Sequence, residues 1–362
     1  MMKNTLKKLN LFLCSTLILG LSAAFIVLPE RAFSENENRI LAEKPELTVK
    51  NIFSGSFDTM FETWFTDHFP LRDQWIELKA FSKKTTGSLE NNDVYFAEDG
   101  YLIRRFQTYE ERTLVQNLEM IKEFCDTHEV TPNVLLVKTA AWTRRDLLKS
   151  GSFSLDQDAL CDHIEDISGL ELIPVDTEAD PFYFRTDHHW NAYGAYQGYK
   201  AICEHVLHKE PEPFTMNVVS HSFRGTMYSR SGAFWHTGED IIQPVKEGLQ
   251  ASVTLEDGTV HPGLFFEERL QEKDQYMYYL DGNHAFEHIE TNVRNGRHAL
   301  IIKDSYAHIL IPYLAAEYEQ IDMVDLRYYR TAASSLLQEN TDVYFIYSLD
   351  NFCTDPYLVF LQ

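Results

Sequence analysis

From residue 110 onward, short apolar runs alternate with stretches of helical spacing, and this alternation constrains the fold more than any other feature of the chain. Leu114, Leu118, Ile121 and Cys125 recur at intervals of three and four and are followed by an apolar run at 133–138. A second helical pattern through Leu160, Ile164 and Ile167 leads to a run at 170–175, then a loop at 176–188 and an amphipathic helix over 190–206. The last third repeats the unit, with strands at 299–303, 321–326 and 343–348 and helices at 306–318 and 332–339. Crossover helices between apolar strands predict an α/β domain with a mainly parallel sheet. Residues 210–298 break the helical period. They are punctuated by glycine and alternate at 252–255 and 276–280, which predicts a loop- and β-rich insertion serving as a lid or acceptor-binding wall.

Upstream, Lys3, Lys7 and Lys8 precede an almost continuous apolar run at 9–28, long enough to cross ~30 Å of hydrocarbon. The run exceeds an ordinary signal h-region of ~7–15 residues, so residues 1–28 are expected to be a signal anchor, or a signal peptide if cleaved near Ala23-Ala24. The lysines would stay in the cytoplasm and the rest of the chain outside. Cys14 follows Leu13, where lipid attachment would need a small residue, and reads as a membrane-buried apolar residue. Residues 29–90 form a membrane-proximal helical extension, with Phe57, Phe61, Trp64, Phe65, Trp75 and Leu78 at helical spacing and Pro70 inside a first turn. Residues 91–362 make up the α/β domain.

Composition narrows the partners. Hydrophobic residues are 44% and aromatics 13% of the chain, which excludes a disordered or low-complexity protein. Thirty-two Lys and Arg stand against 55 Asp and Glu, a net charge of −23, and no basic cluster lies outside the N-terminus. Nucleic acid is therefore not a partner. Cys125, Cys161, Cys203 and Cys353 have neither the pairing of a disulfide framework nor zinc spacing. His284 and His288 lack the Glu of a His-Glu-x-x-His pair, and His205 and His208 lack a third ligand, so no metal or cofactor is expected.

In open α/β sheets, sites form at the carboxyl ends of strands. At 301–306 an apolar strand ends in Asp304-Ser305-Tyr306, where free backbone N–H groups and a helix dipole favour a developing oxyanion. Ser305 there is either a helix cap or a nucleophile. At 186–190, Asp187 and His189 sit two apart, so in an extended segment one carboxylate can hold one imidazole, the pair a serine nucleophile requires. Asp187 also reads as a helix cap, and His188 is the rival base. Thr66-Asp67-His68 echoes Thr186-Asp187-His188, but Phe69 follows it where His189 follows the other, so this copy is expected to cap a helix. Tyr183, Trp190, Trp235, Tyr306, Tyr328 and Tyr329 offer flat rings for sugar faces or for core packing. Arg185 and Arg327 are either anion-steering residues or members of salt bridges.

These strings resemble a known family. Residues 183–190, Lys303-Asp304-Ser305-Tyr306-Ala307, residues 325–329, Glu37-Asn38-Arg39 and Asp67-His68-Phe69-Pro70-Leu71-Arg72 look like the DHHW protein family, which is similar to the SGNH-hydrolase-like alginate O-acetyltransferases. The resemblance implies an SGNH-hydrolase-like (flavodoxin-like three-layer) fold, with the Asp-x-His element ahead of the serine in a permuted order. It implies Ser305 as nucleophile, His189 as base and Asp187 as the orienting carboxylate. Lys303 stands where the usual motif has Gly, which places a side chain near the oxyanion region. The usual Asp-x-x-His is shortened to Asp-x-His. An SGNH site also draws an Asn into its oxyanion hole, for which Asn351 and Asn283 are the candidates. The substrate-binding candidates are Tyr183, Arg185, Trp190, Tyr306, Arg327 and Tyr328.

The expected function is that of an extracytoplasmic O-acetyltransferase or acetylesterase acting on a cell-surface or secreted polysaccharide through a Ser-His-Asp triad. The resemblance implies a membrane-bound O-acyltransferase as acetyl donor. The competing expectation is a non-catalytic carbohydrate-binding or polysaccharide-assembly protein that keeps the cleft without the chemistry.

Overall fold

The structure, a computed structural model, describes residues 2–361. Its contacts divide the chain into two units, Met1–Gly87 with Gly232–Trp235, and Ser88–Ser231 with His236–Gln362.

The first unit opens with helix α1 (Met2–Val27), whose stretch Thr5–Val27 is long and apolar enough to cross a membrane. Three helices follow: α2 (Val49–Phe53), α3 (Ser56–Asp67) and α4 (Arg72–Thr85). Pro70 lies outside α4 rather than in its first turn, because Leu71 takes a left-handed conformation and serves as the N-cap. Asp67, at the end of α3, is buried and accepts from Arg39 Nη1 at 2.9 Å and the Ala42 N–H at 2.9 Å, with Arg72 at 3.5 Å. Trp235 belongs to this unit, edge-on to Phe81 at 5.9 Å and beneath the Lys84 ammonium.

The second unit is built on a seven-stranded sheet: β1 (Pro132–Val137), β2 (Ala251–Leu255), β3 (Val260–Pro262), β4 (Phe286–Thr291), β5 (His298–Lys303), β6 (Gln320–Val324) and β7 (Thr341–Ser348). The spatial order is β3-β2-β4-β6-β5-β7-β1. Strands β6, β5, β7 and β1 are parallel, whereas β4 joins β6, β2 joins β4 and β3 joins β2 antiparallel. The sheet is therefore mixed rather than mainly parallel. The stretch at 210–298 supplies its three antiparallel strands, because a tight turn at Gly258, which holds φ +85°, joins β2 to β3 without room for a crossover.

Strand β5 is buried along its whole length, as the apolar run requires when both sheet faces are covered. Ala299 and Ile301 enter one core, shared with helix α7 (Ala192–Ile202). Leu300 and Ile302 enter the other, with α5 (Glu111–His128) and α6 (Gln157–Ser168). Fully burying Leu300, Ile301 or Ile302 contributes about 1.5–3 kcal/mol each. The layers are thus helix, sheet, helix.

Several expected elements are shorter. The helix expected over 306–318 is a 3-10 turn (Ser305–Ala307) and a separate short helix (Ile311–Leu314), whose first turn holds Pro312, a residue without an N–H to continue an earlier helix. The run at 170–175 makes a single bridge, Leu172 to Val134, and Pro174 removes the next donor. Residues 332–339 give only a 3-10 turn (Ala333–Leu336), and 276–280 carry another (Gln275–Tyr278) instead of a strand. Helix α7 starts after Trp190, at the Asn191 cap, and ends in a π turn (Cys203–Leu207). All five cysteines are free. Cys125, Cys203 and Cys353 are buried and Cys161 is half-buried.

Candidate active site

Ser305 stands where β5 leaves the sheet, on a turn fastened by its neighbour. Asp304 caps the turn, its Oδ1 accepting from the Tyr306 N–H at 2.8 Å. Its Oδ2 accepts from the N–H and hydroxyl of Ser348, at 2.9 and 3.1 Å, and from Asn351 Nδ2 at 2.9 Å. One carboxylate therefore ties the ends of β5 and β7 together and fixes the backbone on which Ser305 rides. Burial raises the Asp304 pKa, while these donors pull it back.

The Asp187–His189 segment comes from a loop pinned at both ends. Tyr183 and Trp190 bridge across it, and Asn191 caps α7 through Tyr193 and Gly194. The half-buried Glu239 carboxylate accepts the Arg185 and Thr186 N–H groups at 2.7 and 2.8 Å and the Thr186 hydroxyl. Asp187 Oδ2 accepts the Thr226 N–H at 2.6 Å. Gly225 lies so close that an added Cβ would meet Asp187 Oδ2 at 2.3 Å, so no side chain fits there.

Asp187 Oδ1 receives both the His189 N–H, at 3.0 Å, and His189 Nδ1, at 2.5 Å. That bond leaves His189 Nε2 as the acceptor, 2.7 Å from Ser305 Oγ. The far side of the imidazole stacks on Tyr276 at 3.9 Å and an interplanar angle of 8°, and the Tyr276 hydroxyl donates to the Ser305 carbonyl at 2.9 Å. Burial, reinforced by the neighbouring His188, pulls the His189 pKa down to about 4, so the ring is neutral at pH 7. Burial would raise Asp187, but His188 and His189 outweigh it and hold the carboxyl well below its usual range. The three residues form a continuous relay from carboxylate to imidazole to hydroxyl.

His188 is placed differently. Its Nδ1 is 3.4 Å from Asp187 Oδ1 and makes no hydrogen bond, and its carbonyl accepts from the Tyr306 hydroxyl. Asp187, His188 and His189 lie close enough to share an ion, but His189 is already engaged at both ring nitrogens by Asp187 and Ser305.

Other sequence-derived candidates fall elsewhere. Lys303 is buried with its ammonium 3.3 Å from Glu287 and donating to His308 Nε2 at 2.6 Å. Its charge is thereby held by those two residues. Asn351 donates to Asp304 and accepts from Arg104 at 3.4 Å, a bracing role for the Ser305 turn, whereas Asn283 is exposed and accepts from Arg327 at 3.0 Å. Tyr183, Trp190 and Tyr306 are buried and hydrogen-bonded to the Lys138, Tyr306 and His188 carbonyls, so they pack the loop rather than line a cleft. Arg327 pairs with Asp325, Tyr328 is exposed, and the Arg185 guanidinium lies over Tyr101 at 5.9 Å. Gly225, Glu239, Tyr276 and Asp304 were missing from the sequence candidates. Only Asp304 carried a local signal, as the residue before the serine.

This mixed α/β architecture is SGNH-like in fold, as a match within the chain and two solved structures show. Residues 166–260 match the family described as SGNH hydrolase-like domain, acetyltransferase AlgX. A DHHW family protein from Eubacterium siraeum DSM 15702 superposes with a TM-score of 0.63 at 21% identity, covering 75% of this chain and 95% of its own. PatB1 from Bacillus cereus, solved with a sulfonyl adduct, gives 0.59 at 21% identity, covering 74% of this chain and 100% of its own. No curated protein matches by sequence. The motif resemblance to the DHHW and SGNH-like acetyltransferase proteins is thus met by a family match within the chain and by the fold.

Proposed function

We propose that the chain is an extracytoplasmic, membrane-anchored O-acetyltransferase or acetylesterase acting on a polysaccharide, with Ser305 as nucleophile, His189 as base and Asp187 as orienting carboxylate. The observation that carries this is the relay itself: His189 Nε2 is 2.7 Å from Ser305 Oγ and its Nδ1 is 2.5 Å from Asp187. In the first half-reaction His189 takes the Ser305 proton while Oγ attacks the acetyl carbonyl and the donor's oxygen leaves with that proton. In the second, a sugar hydroxyl or water gives its proton to His189 and attacks the acetyl carbonyl of the acetyl-serine, and His189 returns that proton to the departing Oγ, which restores the serine. The Ser305 N–H, opening the turn, supplies an oxyanion donor. The Asp-x-His element precedes the serine, the permuted order of the family it resembles. The matched family's acetyltransferase description supports transfer. The donor in this reading is a membrane-bound O-acyltransferase, as the motif resemblance implies.

A non-catalytic carbohydrate-binding role drew its support from Lys303, whose charge Glu287 and His308 hold. The test is acetyl release from an activated acetyl ester by the full chain in detergent, with and without a sugar acceptor, beside Ser305→Ala. Serine-dependent release is expected, with acetylated sugar marking transfer; equal release by the variant sinks the triad. The PatB1 adduct suggests a second probe, a sulfonyl fluoride, expected to label Ser305 and to leave Ser305→Ala unlabelled.

A further inference from the structure

In the first unit, α3 carries two unlike faces. Phe57, Phe61 and Phe65 follow one another at four-residue spacing and their rings form a ladder, 5.9 and 6.2 Å between centroids. The exposed Thr59, Thr63 and Thr66 fall on the opposite side, and Asp58 and Glu62 flank the ladder along one edge. The ladder is not a core. Phe61 is 43% and Phe65 38% exposed, and on the preceding α2 Phe53 is 88% exposed. A contiguous apolar surface of this kind marks a contact with something apolar.

The anchor helix says what that is. Phe25 of α1 packs against Phe65 at 4.9 Å and Trp64 at 5.3 Å. Phe25 lies inside the apolar span Thr5–Val27, about 3 Å of helical rise from its end. If α1 crosses a bilayer, Phe65 sits at the depth where the span leaves the hydrocarbon, the level at which aromatic rings partition. A helix held there with an apolar ladder and a polar back has the character of an interfacial helix.

We propose that α3 lies in the lipid interface beside the anchor, with its phenylalanine ladder against acyl chains; this rests on the anchor reading of α1 given above. The acidic chain and the absence of Lys and Arg from α3 point to insertion by apolar contact, so neutral phosphatidylcholine is the partner tested. The experiment uses the full chain in phosphatidylcholine vesicles, with Cys14→Ser and Cys161→Ser to remove the accessible thiols. A nitroxide is placed at Phe61→Cys, at Met60→Cys as a second α3 position, and at Val218→Cys, an exposed strand position of the other unit. Flotation with the vesicles reports the anchor. Collision rates with oxygen and with a nickel chelate report the helix. The expected result is flotation, with oxygen favoured several-fold at 60 or 61 and the nickel chelate favoured at 218. A chain that floats but shows the position-218 pattern at both α3 sites overturns the proposal and leaves the anchor standing. Shielding from both reagents means that protein covers the face, and overturns it as well. A chain that does not float overturns the anchor and the proposal together.

Discussion

The same three residues occur twice in this chain, as Thr66-Asp67-His68 and Thr186-Asp187-His188, and the structure turns them to different ends. Both aspartates are buried to the same degree. Asp67 is met by arginines: the Arg39 hydrogen bond, set against burial and helped by Ala42 and Arg72, lowers its pKa to about 2. Its histidine turns away, with Nδ1 at the Trp64 carbonyl and Nε2 at that of Arg31. Asp187 is met by imidazoles, and the second of these reaches a serine. Arginine keeps its charge at every working pH, whereas imidazole exchanges a proton near neutrality. The partner, more than the carboxylate, separates a structural ion pair from a proton relay.

Substitutions that sharpen this contrast can be ranked by size. Ser305→Ala and His189→Ala are each expected to abolish serine-dependent acetyl release, a fall of at least ~10³-fold measured as kcat/KM. Asp187→Asn keeps the shape but not the charge that fixes the imidazole, and should lower kcat by about 10³–10⁴-fold; activity within tenfold of the parent would make Asp187 a cap. Gly225→Ala forces the buried Asp187 to move and should cost on the order of 10²-fold in turnover together with about 1–3 kcal/mol of stability. Asp67→Asn should leave turnover intact while lowering stability by about 1–3 kcal/mol in a denaturation curve, because Arg39 is partly solvated. The Asp67 contribution is present above its unfolded pKa near 3.8 and disappears as the pH falls toward 2.

The smallest effect is on the pH profile. With His189 pulled down to about 4, its neutral form persists well below pH 6.5, and on the proposed mechanism the acid limb of kcat/KM for the ester assay belongs near pH 4. Folding carries the matching sign: the unfolded imidazole binds a proton near pH 6.5 and the folded one does not, so this residue erodes stability as pH falls from 6.5 toward 4. His188→Ala removes one of the influences that depress His189 and should move the acid limb upward, with a change at pH 7 of less than roughly tenfold. A limb unmoved in that variant would remove His188 from the electrostatics of the base.

How much of this was legible in the sequence follows from the range of the interactions. That Ser305, His189 and Asp187 come together was legible because each stands at the end of a local pattern, an apolar run or a polar loop before a helix. The α/β layering was visible for the same reason. Glu239 and Gly225 were not, because they grip residues 39 to 54 positions away and lie in a stretch read as an insertion. That same stretch gave β2 a legible alternation, yet nothing local says that β2 and β4 extend the main sheet. The segment at 306–318 looked helical because it is apolar, but it is buried all round, so no amphipathic period marks where the helix breaks.

The clamp at Asp304 also sets a timetable. The turn bearing Ser305 is fastened to Ser348 and Asn351, and the base is backed by Tyr276, so the constellation draws on residues spread over 165 positions of sequence, from Asp187 to Asn351. A nascent chain emerging from the ribosome holds Asp187 and His189 long before it holds anything to fix them. Until the last strand of the sheet has been made, the serine has no rigid seat, and the chain travels through synthesis with Asp187, His189 and Ser305 apart.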